Sequence, residues 1–476
     1  LSSTTHADVL IVGAGSAGCV LAESLSRDPN CRVTLLEAGP GPSDPVVGAQ
    51  IRNGRSLPIG STSVVVRRYE TTLTATPPRH ASIMRGAVVG GSGAVNGGYF
   101  CRGLPADFDG WGVPGWSWDD VLPHFLAIET DLDHDGPLHG ADGAMRIRRV
   151  TEFEPGAAAF VDAALDHGYE WVADLNGADS GRPGVGAVPL NIDGGVRVGP
   201  GEAFLTRAAG RRNLTVREAT RVSRIEFDGH RAVGVDGVGR DGRERFTADR
   251  IVLSAGAIGS AHLLMLSGVG PAGQLAAAGV PVLVDLPVGT RSVDHPEWVL
   301  PVDWPAAQGR PPLEALLTTE SGLEIRCYTT GFAAMIGAEF DPSDRPHLGV
   351  TLMRPHSRGR VTLTSASAEV PPSIEHRYDS APGDVEVLAA GADLAHDLAG
   401  SGYHARESSW STSQHLCGTV PMGRDGHAPL DERCRVRGVD GLWVVDGSVM
   451  PVITSRGPHA TIVMIGHRAA EFIRQS

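Results

Sequence analysis

An α/β fold is what this sequence predicts, and three observations predict it. Residues 7–40, ADVLIVGAGSAGCVLAESLSRDPNCRVTLLEAGP, read as strand, glycine turn, helix, strand. The chain has 476 residues, more than one core ordinarily holds, so two domains or one elaborated domain are expected. The segment 460–474 repeats its apolar residues at helical spacing, so a helix closes the sequence.

The first stretch carries the most information. Val9 to Val12 form a short buried strand, Ala17 to Ser26 have helical character, and CRVTLLE forms a second strand ending at Glu37. Gly13, Gly15 and Gly18 make G-x-G-x-x-G inside a unit of the ~30 residues a dinucleotide fingerprint needs. Gly13 permits the tight turn, Gly15 lets the backbone approach a pyrophosphate, and Gly18 lets helix and strand pack closely. The phosphates then meet the positive end of the helix. Ser16 and Ala17 open that helix. Glu37, nineteen residues after Gly18, is placed to accept from ribose hydroxyls, which argues against a 2′-phosphate and so against NADP. This unit alone leaves FAD and NAD open.

Composition excludes other classes. Hydrophobic residues make 41% and charged residues 20%, ordinary for a globular protein. The net charge of −14 disfavours a nucleic-acid partner, which demands a basic footprint. Every basic side chain other than histidine is arginine, a bias that a GC-rich genome accounts for. The six cysteines (19, 31, 101, 327, 417 and 434) are scattered without a C-x-x-C pair and read as free thiols. No apolar run approaches the ~18 residues of a membrane span. No basic region with a cleavable apolar core opens the sequence, so the expected location is cytoplasmic, with attachment to the inner face of the membrane left open.

Four further stretches carry a resemblance: RGAVVGGSGAVNGGYFCRG (85–103), SAGAIGSAHLLMLSGVGP (254–271), SQHLCGTVPMG (413–423) and GLWVVDGSVMPVITSRGPHATIVMIG (441–466). GWSWDDVLPHF (115–125) and RPHSRGRVTLTS (354–365) fit as well. With the N-terminal unit they resemble the glucose–methanol–choline (GMC) family of FAD-dependent oxidoreductases, in the family's order and over nearly the whole chain. The resemblance implies a Rossmann-type FAD-binding domain from 1–148, 190–296 and 412–476. It also implies a discontinuous α+β substrate domain from 149–189 and 297–411, built on a mostly antiparallel sheet. It places Gly91, Ser92 and Asn96 in a flavin-facing loop, Val222 at adenine, Asp446 near the ribityl chain, and Ala38 beside Glu37. The chain departs from the pattern at three places. Ala261 replaces the usual proline of G-A-x-x-S-P, His459-Ala460-Thr461-Ile462 replaces N-A-P-T, and Val95 stands where some members carry a histidine that binds FAD covalently. Non-covalent FAD is therefore expected.

The implied chemistry is oxidation of an alcohol by hydride transfer to flavin N5. The hydroxyl must lose a proton, and imidazole suits that task because its unperturbed pKa of roughly 6.5 lies near working pH. His415 in H-L-C-G-T matches the family's catalytic histidine and His459 the second member of its pair. His415 is expected to take the proton and His459 to hold the developing alkoxide, although the roles could be exchanged. Pro458 suits the start of the last helix, so His459 sits at its electropositive end, near Ala460. That dipole is expected to keep the ring neutral. Ile462, Ile465, Ala469 and Ile473 should face the core, with His467, Arg468, Glu471 and Arg474 opposite. His295 reads as structural; His356, His376, His404, His427 and His467 read as ordinary surface or core residues, and Cys417 as a packing thiol. No cluster with metal-ligand spacing occurs, so no metal is expected.

The substrate is expected to be a small-molecule alcohol, with a quinone or respiratory carrier as the candidate electron acceptor. The short chain with its His/His ending resembles the GMC branch that accompanies mycofactocin, which implies mycofactocinol as donor. Two alternatives stand beside this dehydrogenase: an oxygen-using alcohol oxidase, and a hydroxynitrile-lyase type without net redox. Oligomeric state has no sequence signal.

Overall fold

The computed structural model describes residues 5–307, 309–339, 343–400 and 408–476. His404 lies outside them.

The strand Thr5–Val12 is central to the larger sheet, and its run Val9 to Val12 is almost wholly buried. A strand covered on both faces is apolar throughout, which is how this one reads. Its neighbours are the parallel strands Val33–Leu36 and Gly242–Leu253. Leu214–Arg217 extends one side in parallel. Arg231–Gly239 and Arg221–Asp228 extend the other side as an antiparallel pair, and Leu442–Val444 joins Gly242–Leu253 in parallel.

Two glycines shape the crossover. Gly13 has φ +102°, and a Cβ there would lie 2.5 Å from the Ser254 carbonyl oxygen. A Cβ on Gly18 would lie 2.0 Å from the Gly13 carbonyl oxygen, so the helix Ser16–Leu25 can start only without one. The last helix, His459–Arg474, packs on this first helix, where a Cβ on Gly466 would lie 2.9 Å from Ala17 Cα. Ile465, Ala469 and Ile473 are buried as expected, while Ile462 is only half-buried. Of the opposite face, Arg474 is exposed and His467, Arg468 and Glu471 are half-buried.

A second sheet is six-stranded and antiparallel, in the order Ser409–Thr412, Pro296–Pro301, His347–Leu352, Leu323–Tyr328, Leu313–Thr318, Gly184–Ala187. The helices Pro155–Asp166 and Pro382–Ala399 pack on it through Phe160, Leu388 and Leu398. A hairpin of Val66–Ala75 and Pro78–Gly86 pairs with Ser373–Glu375, which carries Ile374 into the larger core together with Val361 and Leu363. All six cysteines are free thiols. Among the described residues no helix is long and apolar enough to cross a membrane.

Candidate active site

The first helix begins after Gly15, which places no side chain over its end, so the first-turn amides face outward uncapped. Ten residues of aligned peptide dipoles make that end attractive to an anion. Glu37, at the end of the second strand, is buried. Its two oxygens accept from the amides of Ala14 and Gly39, each at 2.9 Å, and each keeps a lone pair for a further donor. Burial pushes its carboxyl up to about 7, against the pull of those amides. Ala38 beside it is exposed. The strand that holds Val222 is tied to the same corner, because the Thr220 amide donates to the Glu37 carbonyl at 2.8 Å.

The loop 91–96 lies across the start of the first helix. A Cβ on Gly91 would meet Gly15 Cα at 2.6 Å, and one on Gly93 would meet both Ser16 Oγ and His459 Nε2 at 2.6 Å. Ser92 is exposed, and its hydroxyl accepts from the Gly86 amide. Asn96 Nδ2 lies 3.1 Å from His459 Nδ1, while Asn96 Oδ1 accepts from the Gly98 amide at 3.0 Å. That amide fixes which end of Asn96 is the carbonyl, so the NH2 end donates and His459 Nδ1 accepts. A neutral imidazole that accepts at one nitrogen carries its hydrogen on the other. His459 Nε2 is thus a donor, and it is buried without a partner beside Gly93. Burial, not the helix dipole expected from sequence, is the leading cause that lowers this ring to about pH 4; the Tyr99 backbone opposes it.

His415 arrives from a different part of the chain, just after the edge strand Ser409–Thr412. A Cβ on Gly457, two residues before His459, would lie 3.4 Å from His415 Cε1 and 2.8 Å from the Tyr99 ring. Phe100 contacts His459 edge-on, with ring centroids 5.3 Å apart. Gly457 thus lies against both the Tyr99 ring and His415, and Phe100, the residue after Tyr99, lies against His459. Burial first, then His295, Arg326 and Arg85, hold His415 well below the usual histidine range, so both rings are neutral at pH 7. Asp446 behaves differently. Its carboxylate accepts from the Gly256 and Ser448 amides and from Ser260 Oγ, which tie two helical starts together. Ala460 is wholly buried behind His459.

Residues 7–297 match the N-terminal family model of GMC oxidoreductases, and residues 355–466 match the C-terminal one. An uncharacterised GMC-type oxidoreductase from the thcA 5′ region of Rhodococcus erythropolis is 39% identical, over 99% of this chain and 99% of its own. The oxygen-dependent choline dehydrogenase of Photobacterium profundum is 31% identical, over 99% of this chain and 93% of its own. Pyridoxine 4-oxidase from Mesorbium loti superposes with a TM-score of 0.88 at 31% identity, covering 98% of this chain and 99% of that one. This chain is a GMC oxidoreductase.

GMC oxidoreductases act on CH–OH groups and bind FAD, and the residues here fit that group. The uncapped helix start suits a pyrophosphate, Glu37 suits a ribose, and the side-chain-free cradle at Gly93 faces the orphaned donor of His459. Val95 is buried and offers no atom for a covalent link.

Sequence reasoning missed a buried charged wall near His415. Glu324 accepts from Tyr99 OH at 2.8 Å and from Arg326 at 2.8 and 3.0 Å, with Arg456 at 3.4 Å. Glu297 accepts from Ser413 Oγ at 2.7 Å and lies 3.9 Å from Arg326. All four charged residues are buried. Glu297 follows His295 in DHPE, and that nearness was the signal available; the partners come from other strands and left none.

Proposed function

We propose that this GMC oxidoreductase is an alcohol dehydrogenase holding FAD non-covalently, with His415 as the base. The observation that carries the assignment is the hydrogen bond from Asn96 to His459. It makes His459 Nε2 a donor, which leaves His415 as the member of the pair free to accept a proton. His415 takes the hydroxyl proton of the substrate, and His459 donates to the oxygen as its charge grows. FAD, when bound, supplies the acceptor for the carbinol hydride. Gly13, Gly15, Ser16, Ala17, Gly18, Glu37, Ala38, Gly91, Ser92, Asn96, Val222, Asp446, His459 and Ala460 form its proposed cradle. Asp446 acts there by holding the starts of two helical segments in place.

The wall beside His415 supports an uncharged alcohol. Two buried carboxylates, Glu297 and Glu324, stand beside two buried guanidiniums, Arg326 and Arg456, and Asp294 is held by the amides of His295 and His415 and the hydroxyls of Tyr378 and Thr412, so each of these three carboxylates already has partners. Electrons then pass to a quinone or respiratory carrier, and mycofactocinol is the donor to try beside simple alcohols, glucose and choline.

Anaerobic mixing of the flavin-loaded protein with each donor tests this. An oxidised product with loss of the flavin's visible absorbance supports it. Cleavage of an added cyanohydrin to aldehyde and cyanide without that loss supports the hydroxynitrile-lyase alternative, and rapid return of colour on admitting air supports the oxidase. His415→Asn should slow bleaching by about 10²–10⁴-fold, the usual share of a general base; unslowed bleaching removes His415 from the role.

A further inference from the structure

His295 was expected to be structural, but it touches His415. Its ring is wholly buried, and its Nδ1 lies 2.9 Å from His415 Nδ1 with the two rings nearly perpendicular. The neighbouring carboxylate does not explain the contact. Asp294 Oδ1 accepts from the backbone amides of His295 and His415, at 2.9 and 2.6 Å. Its Oδ2 accepts from Tyr378 OH and Thr412 Oγ1, both at 2.8 Å, with His376 Nδ1 at 3.3 Å. Asp294 thus clamps the two backbones and leaves the rings to satisfy each other.

Two imidazole nitrogens at hydrogen-bond distance share one hydrogen: one carries it and the other accepts. Two bare lone pairs would repel, and two N–H groups would clash. If His295 carried it, His415 would accept at Nδ1, hold its own hydrogen on Nε2, and have no free lone pair for a substrate proton. If His415 carries it, His415 Nε2 is bare and His295 must be protonated at its own Nε2. The base role proposed for His415 requires the second arrangement. Asp294 first, then Glu324 and the Thr454 backbone, favour a proton on the His295 ring, and Nδ1 is already engaged by His415. His295 Nε2 otherwise has no partner.

We propose that His295 is a positioning residue, accepting the Nδ1 hydrogen of His415 and so holding the reactive ring in the tautomer whose Nε2 can take a proton. The assignment rests on His415 being the base. It gives the two catalytic rings opposite polarity at Nε2, acceptor on His415 and donor on His459, each set by a neighbour behind the site. Charged groups facing the pair are Asp294, Glu324, Arg326 and Arg85.

Two measurements test it. Long-range ¹H–¹⁵N spectra of histidine-labelled holoenzyme, with the His415 signals identified by their loss in His415→Asn, should show His415 protonated on Nδ1 and bare on Nε2. The reverse pattern overturns the proposal, whatever the activity. In kinetics, His295→Leu removes the acceptor and should lower kcat by about 10–100-fold, the usual cost of losing such a support. KM should hold, and the acid limb of the pH–rate profile should move to lower pH. His295→Asn puts a carbonyl oxygen where Nδ1 sits and should recover most of the loss. Unchanged kcat and pH profile in His295→Leu overturns the role, as does an equal loss in both variants. Full turnover in His415→Asn would instead sink the base assignment, and the tautomer spectrum tells the two failures apart.

Discussion

Gly93 is the residue on which the cradle turns. A methyl group there would stand 2.6 Å from Ser16 Oγ, 2.6 Å from His459 Nε2 and 2.8 Å from Pro200 Cδ, closer than packed atoms tolerate. The first two neighbours are the groups that face the flavin in the proposed cradle, so a side chain would displace them rather than fill empty space. Gly93→Ala should cost about 1–3 kcal/mol of overpacking and lower the flavin-to-protein ratio on purification. Retention of full flavin content by a folded Gly93→Ala protein would show that the cradle lies elsewhere. The loop G-G-S-G was visible in the sequence as glycine-rich, but which glycine is pressed between two catalytic-side groups depends on residues far away in the chain.

At the scale of elements, the first and last helices set the position of His459. Their contact is Gly466 against Ala17, where a methyl on Gly466 would meet Ala17 Cα and carbonyl oxygen at 2.9 Å and Ala17 Cβ at 3.2 Å. Backbone atoms cannot swing aside as a flexible side chain can. Alanine ordinarily favours a helix over glycine by about 1 kcal/mol, so Gly466→Ala sets propensity against packing. Packing should win: the denaturant midpoint should fall, whereas Gly383→Ala, where a new methyl meets nothing within 4 Å, should hold or raise it. A rise in both variants would mean that the helices are not in close contact. The helix ending at Arg474 was legible from its apolar spacing, since i, i+3, i+4 periodicity is local. Its wider buried face, which includes Val463, Met464 and Gly466, was not, because a helix pressed by neighbours on several sides buries more than one stripe.

Over the whole molecule, folding holds histidines neutral in both cores. Burial lowers His262, His295, His347 and His459 each to about 4. Above pH 6.5 neither the folded nor the unfolded chain protonates them, and between 6.5 and 4 only the unfolded chain does. Stability should therefore fall as pH drops through that window, because the unfolded state binds more protons. Glu37, raised to about 7, opposes the trend together with Glu129 and Asp446, which burial also raises, but His124, His376, His415 and His467 are lowered as well and add to the histidine side. The melting temperature should accordingly be several degrees lower at pH 5 than at pH 7; a flat profile down to pH 4 would show that these rings are solvated. Sequence alone determined the strand–turn–helix fingerprint with Glu37 at its end, because glycine geometry and periodicity are properties of neighbouring residues, and the order of its motifs carried the family resemblance from which the proposed pair His415 and His459 comes. Only the tertiary structure decided that Asn96 makes His459 a donor, that His295 backs His415, and that two guanidiniums cancel the carboxylates beside it. The physical reason is that a hydrogen bond's polarity and a buried charge's balance depend on what stands within about 3–4 Å, and here those partners, Arg326 and Glu324 excepted, lie tens to hundreds of residues apart.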